Sequence, residues 1–181
     1  GRTATVNGQP YTGITTVPLN EQGEGEIQVV VEYGQQKRTY RFKLLGLGSN
    51  ADLSSLVISD NNSVNVTAAY LSYSPDFQAD HTQYTSSVYT GEKKFLNIYA
   101  EASGIYSKIE AEAGDGVRRI LTFKGAAGAG NRTRFAVYFE DGQSCAEVTL
   151  KVTAGDGVTT REYHVSLLRT DIYGPVLSSA K

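Results

Sequence analysis

The chain has 181 residues, enough for one large domain, or one domain plus part of a neighbour. Its net charge is −2, which lacks the basic footprint of nucleic-acid binding. A single cysteine excludes an intrachain disulfide, two histidines leave little for a metal cluster, and no apolar run approaches the ~18 residues of a membrane helix.

In chain order, apolar and polar residues alternate with a period of two. Ile27, Val29, Val31 and Tyr33 alternate with Glu26, Gln28 and Glu32, and Tyr40, Phe42 and Leu44 with Arg41 and Lys43. Leu96, Ile98, Ala100 and Ala102 alternate with Asn97, Tyr99 and Glu101, and Phe135, Val137 and Phe139 with Arg134, Ala136 and Tyr138. Val148, Leu150 and Val152 form the next stripe, and Tyr163, Val165 and Leu167 the last. This period sends one set to a core and the other to solvent, as in half-buried antiparallel strands. Between the runs lie Asn7-Gly8, Tyr33-Gly34, Asp115-Gly116, Asp141-Gly142 and Asp156-Gly157, which supply the positive φ of tight turns. Gly125 to Gly130 reads as a long flexible hairpin loop; it lacks the Lys-Ser/Thr step of a phosphate-binding loop. The fold class expected is all-β.

The chain also echoes itself. Arg38-Thr39-Tyr40-Arg41-Phe42-Lys43-Leu44-Leu45 is similar to Arg161-Glu162-Tyr163-His164-Val165-Ser166-Leu167-Leu168, and each copy follows a strand and a turn. The expectation from these signals is β-sandwich or barrel modules in tandem. Residues 1–47 would be the C-terminal strands of one module, residues 48–170 a complete second one, and residues 171–181 a linker or the start of a third. The absence of methionine and the Gly1-Arg2-Thr3 start are read as signs of a fragment of a longer protein. A truncated first module would leave an exposed edge to pair with the second module or with another copy.

Three segments carry a family resemblance. Leu53-Ser54-Ser55-Leu56-Val57-Ile58-Ser59 opens the second module; Leu71-Ser72-Tyr73-Ser74-Pro75-Asp76-Phe77 leads into His81-Thr82-Gln83-Tyr84-Thr85; Val148 to Ala154, Gly155-Asp156-Gly157 and Tyr163 to Arg169 close it. In this order they resemble the bacterial cadherin-like β-sandwich domain, an immunoglobulin-type repeat of surface proteins, which implies immunoglobulin-like Greek-key β-sandwich modules in tandem. The stretch from Asp60 to Tyr70 and the longer middle from Val117 to Asn131 depart from that pattern, and Gly142-Gln143-Ser144-Cys145 lacks its usual Asn. The resemblance implies an extracellular, bacterial cell-surface setting and a non-enzymatic spacer or adhesion role, with neighbouring domains as partners and a glycan or a surface protein as ligand. A carbohydrate-binding module attached to a secreted glycoside hydrolase is the alternative.

Matched residues have plain physical tasks. Pro75 belongs at a strand edge or turn, Phe77 and Tyr84 anchor the core, and the hydroxyls of Tyr163 and Tyr40 need polar partners on apolar faces. No catalytic residue, metal or cofactor is expected. His81 reads as a turn residue, His164 as part of a polar strand face, and Cys145 as a small packed residue. Asp60-Asn61-Asn62, Asp76 and Asp80 are too sparse for calcium, and Lys43 and Lys151 lie on polar faces, unsuited to an isopeptide crosslink. Asn61, Asn65 and Asn131 begin Asn-x-Ser/Thr triplets, which matter only in a eukaryotic secretory host. With twelve tyrosines and no tryptophan, the candidate ligand-binding residues are Tyr99 and Tyr138, on the polar side of their strands.

Overall fold

The computed structural model describes residues 1–60, 70–88, 94–124 and 132–169. All regular structure among them is β, in three sheets. The first sheet contains β1 (Arg2–Val6), β2 (Gln9–Pro10), β3 (Glu24–Tyr33) and β4 (Gln36–Leu45), in the order β2-β1-β3-β4. The second combines β5 (Leu53–Ser59), β6 (Tyr70–Leu71), β8 (Phe95–Ala102), β10 (Val117–Lys124) and β11 (Arg132–Phe139), in the order β10-β11-β8-β5-β6. The third holds β7 (Gln83–Val88), β9 (Lys108–Ala113), β12 (Cys145–Thr153) and β13 (Thr160–Arg169), in the order β7-β13-β12-β9.

The second and third sheets pack face to face. Alternate residues of β5, β8 and β11 (Leu53, Ile58, Leu96, Ile98, Phe135, Val137) meet those of β12 and β13 (Val148, Leu150, Tyr163, Val165) in one buried cluster. The chain crosses between the sheets at each step from β6 to β10 and again from β11 to β12, while β7 runs parallel to β13. Two packed sheets with these crossings form an immunoglobulin-like sandwich. All five predicted turn glycines adopt positive φ.

Tyr163 and Tyr84 are the largest side chains of that core. The Tyr163 hydroxyl donates to Ala79 O at 2.8 Å and accepts from Leu53 N–H at 3.0 Å, so it ties β13 to β5 and to the loop before β7. Tyr84 stacks on Phe77 and meets Tyr73 edge-on, with ring centroids 6.1 and 5.6 Å apart. Burial is the main cause that raises both phenols above the usual tyrosine range. Pro75 sits in a turn next to the Ser74–Thr85 bridge.

The first sheet is built alike but covered differently. Its alternation is as read from sequence: Ala4, Val6, Ile27, Val29, Val31, Tyr33, Tyr40, Phe42 and Leu44 share one face by register. That face is not a core among the described residues. Only Val6 on it is buried, and Tyr40 and Phe42 are 45% and 51% exposed. The expectation that this stripe points into a core is corrected here: alternation selects a face, whereas burial needs a second layer over it.

The segment 46–52 joins the two parts through backbone hydrogen bonds on both sides. Gly46 N–H donates to Gly23 O and Asn50 N–H to Glu21 O, at 2.7 and 2.9 Å, toward the first sheet. Asp156 N–H donates to Gly48 O at 3.0 Å, and Ser107 Oγ donates to Asn50 O at 3.1 Å, from the sandwich. Asp52 adds an ion pair to Arg161 at 2.6 Å. Glycine is required by close approach: a Cβ on Gly23 would overlap Gly46 O, and one on Gly48 would overlap Glu21 O.

Candidate functional site

The outward face of β10, β11 and β8 carries the richest side-chain chemistry. The register places Arg119 beside Tyr138 and Tyr138 beside Phe95 in one rank. A second rank holds Phe123, Arg134 and Tyr99, and a third pairs Arg132 with Glu101. The Arg119 guanidinium lies 4.3 Å from the Tyr138 ring centroid, and Tyr138 is 4.9 Å from Phe95. Arg134 lies 3.9 Å over the Phe123 ring, and Arg132 Nη2 is 2.9 Å from Glu101 Oε2. A guanidinium stacked on a ring is held by the ring quadrupole while its in-plane N–H groups still point outward. The Tyr138 ring is packed against both Arg119 and Phe95, and the guanidinium N–H groups are donors suited to a carboxylate.

Tyr99 and Tyr138 do share this face, with the Ala136–Asn97 pair between their ranks. They differ in access. Tyr138 is partly exposed, whereas Tyr99 is only 5% exposed. Asn97 on the same side is fully buried. The expectation that both residues belong to a solvent set is therefore corrected. β8 is the middle strand of five, so its outward side chains are flanked by β11 and β5. Sequence reasoning missed Arg119 and Phe123 because β10 does not alternate cleanly: a register shift between Val117 and Arg119 breaks its period.

The remaining candidates stand apart. His81 is exposed in the turn before β7; its carbonyl lies 3.0 Å from the Tyr84 hydroxyl. His164 lies on the outward face of the third sheet, with Nδ1 3.1 Å from Thr149 Oγ1. Cys145 Sγ is 3.0 Å from Glu147 Oε1, whose other oxygen accepts from Ser166 Oγ at 2.7 Å. Burial, and then the Glu147 carboxylate, push the Cys145 thiol up to about 11, which suppresses the nucleophilic thiolate at neutral pH. Among the described residues, no group of three His, Cys, Asp or Glu side chains is placed to hold a metal ion, and no helix is long and apolar enough to cross a membrane. Lys43 pairs with Glu24 at 2.6 Å on an exposed face. Asn61, Asn62, Asn65, Asn131 and the 125–130 loop lie outside the described residues.

No protein-family model matches the chain, and no curated protein matches it in sequence. Among solved structures it is similar to an endo-fucoidan hydrolase of glycoside hydrolase family 107. That likeness has a TM-score of 0.37 and 10% identity, and covers 93% of this chain but 23% of the hydrolase. It is also similar to a chimeric titin Z1Z2-Z1Z2 tandem, with a TM-score of 0.34 and 12% identity over 94% of this chain and 84% of the titin chain. The immunoglobulin-like assignment rests on the strand order and pairing described above.

Proposed function

We propose that this chain is a non-enzymatic module of a bacterial extracellular or cell-surface protein, a stiff spacer that holds an adhesive or binding end away from the cell. The observation that supports this reading most is the junction. The 46–52 segment is hydrogen-bonded to the first sheet at Gly23 and Glu21 and to the sandwich at Asp156 and Ser107. A linker whose backbone groups are satisfied on both flanks resists bending, unlike a solvated flexible one. The resemblance of the second module to cadherin-like surface repeats agrees with this role.

Small-angle scattering tests it. The wild-type chain should scatter as one extended rigid body. Gly48→Ala forces a Cβ against Glu21 O and should broaden the distance distribution without unfolding the sandwich. A wild-type chain already as flexible as the variant would sink the spacer reading.

One observation favours a second reading, a carbohydrate-binding module. The Phe95–Tyr138–Arg119 rank is a partly exposed aromatic surface with a cation beside it. A glycan array with mucin and plant polysaccharides is the test. Selective binding lost in Tyr138→Ala would favour this reading; no binding at high protein concentration would remove it.

A further inference from the structure

The two copies of the internal echo continue alike. After Leu44-Leu45 the chain runs on to Leu53-Ser54-Ser55-Leu56, and after Leu167-Leu168 to Leu177-Ser178-Ser179-Ala180. Leu53 follows Leu45 by eight residues, and Leu177 follows Leu168 by nine. The first of these motifs opens β5, where Leu53 and Leu56 are buried and Ser54 is exposed. β5 belongs to the sheet that covers β12 and β13. Leu53 packs in one cluster with Leu150 and Tyr163, and its N–H donates to the Tyr163 hydroxyl at 3.0 Å. Residues 174–181 lie outside the described residues, but their sequence repeats the start of this covering strand. The first sheet holds the surface that such a strand covers. It pairs Val29 with Tyr40 and Ile27 with Phe42, as the sandwich pairs Leu150 with Tyr163 and Val148 with Val165. Tyr40 and Phe42 are exposed, and among the described residues the Tyr40 hydroxyl has no protein partner.

We propose that residues 174–181 of a second copy of this chain lie across the Tyr40–Phe42 face as β5 lies across β13, with Leu177 N–H donating to the Tyr40 hydroxyl. Sequence and reach select this occupant. Leu177-Ser178-Ser179-Ala180 carries no charge, and neither do Ile27, Val29, Tyr40 and Phe42 beneath it, so docking desolvates no ion. The chain's own first sheet is a poor target. β13 starts beside the junction, where Asp156 N–H meets Gly48 O, and ends about 30 Å away at Arg169. The segment would have to run back along the whole sandwich to reach it. Between copies the contact is heterologous: each chain gives one segment and offers one face, so copies join head to tail. The docked strand covers the face from above and leaves the outer backbone edge of β4 unpaired. This inference does not depend on the spacer reading, because it concerns only what covers the first sheet.

Sedimentation velocity of the full 181-residue chain tests this with two variants. Leu177→Asp spoils the segment and keeps the face; Tyr40→Asp spoils the face and keeps the segment. The wild-type chain should associate as its concentration rises, and each variant alone should stay monomeric. Mixed in equal amounts, the two variants should form a 1:1 dimer, because one intact segment then meets one intact face. A misfolded variant could not restore pairing, so the mixture separates lost docking from lost folding. Tyr40→Phe keeps the ring and removes the acceptor, and should weaken association about three- to tenfold. A wild-type chain that stays monomeric at millimolar concentration would overturn the proposal, as would variants that do not pair when mixed. So would association of Leu177→Asp alone, since two faces would then meet without the segment.

Discussion

Strands β4 and β13 share a sequence pattern and matching cross-strand pairs, with β3 and β12 respectively, yet they live in different surroundings. Tyr163 is fully buried, with its hydroxyl satisfied by Leu53 N–H and Ala79 O; Tyr40 is 45% exposed. The difference lies in the layer above. β13 is covered by a five-stranded sheet and flanked by β7, whereas the described residues place no second sheet over β4. Local sequence therefore sets strand, face and pairing, and the covering layer sets how much each side chain contributes to stability.

The largest effect should come from truncating both tyrosines. Tyr163→Ala removes a fully buried aromatic and should cost about 3–5 kcal/mol in urea unfolding of the sandwich. Tyr40→Ala should stay within ~0.5 kcal/mol, the range of exposed positions. Equal costs would mean that the two faces are equally covered. Removing only the hydroxyl is a finer probe. Tyr163→Phe leaves the buried Leu53 N–H without its acceptor and should cost about 1–3 kcal/mol, while Tyr40→Phe should be neutral.

High pH separates the two regions further. The Cys145 thiol and the Tyr163 and Tyr84 phenols all titrate above their usual ranges in the folded state. Each loses a proton more readily when unfolded. Their contribution to sandwich stability is complete below the unfolded values and is lost as pH rises through the folded ones. For Cys145 that window runs from 9.0 to about 11. The sandwich should weaken across it, and the first sheet, which holds none of these three groups, should not gain this dependence. The smallest effect is kinetic: alkylation of Cys145 at pH 8 should run about 100-fold slower in the native chain than in urea, from its thiolate fraction. A native rate equal to the unfolded one would show that the thiol is not perturbed.

Much of this architecture is legible in the sequence. The period-two stripes of β3, β4, β8, β11, β12 and β13 are explicit, and the Asn-Gly, Tyr-Gly and Asp-Gly steps mark turns where positive φ is adopted. The echo between residues 38–45 and 161–168 anticipates two strand pairs with matching cross-strand partners. Burial is harder to read. Asn97 and Tyr99 look solvent-facing because they alternate with Ile98 and Ala100, but a central strand is flanked on both sides. The Arg119–Tyr138 and Arg134–Phe123 contacts were hidden for another reason. They join strands through a register that the shifted start of β10 obscures. The junction glycines Gly23 and Gly48 also escape a local reading, since only the approach of distant backbone requires them.

Native-state amide exchange of β4 and β13 in the isolated chain tests the central contrast most directly. β13 amides should exchange only through global opening of the sandwich, because β12 and β7 pair with both edges. The β4 amides that face away from β3 should exchange orders of magnitude faster, at rates independent of protein concentration. Protection of β4 equal to that of β13 in a dilute monomer would contradict the view that the first sheet lacks its covering layer.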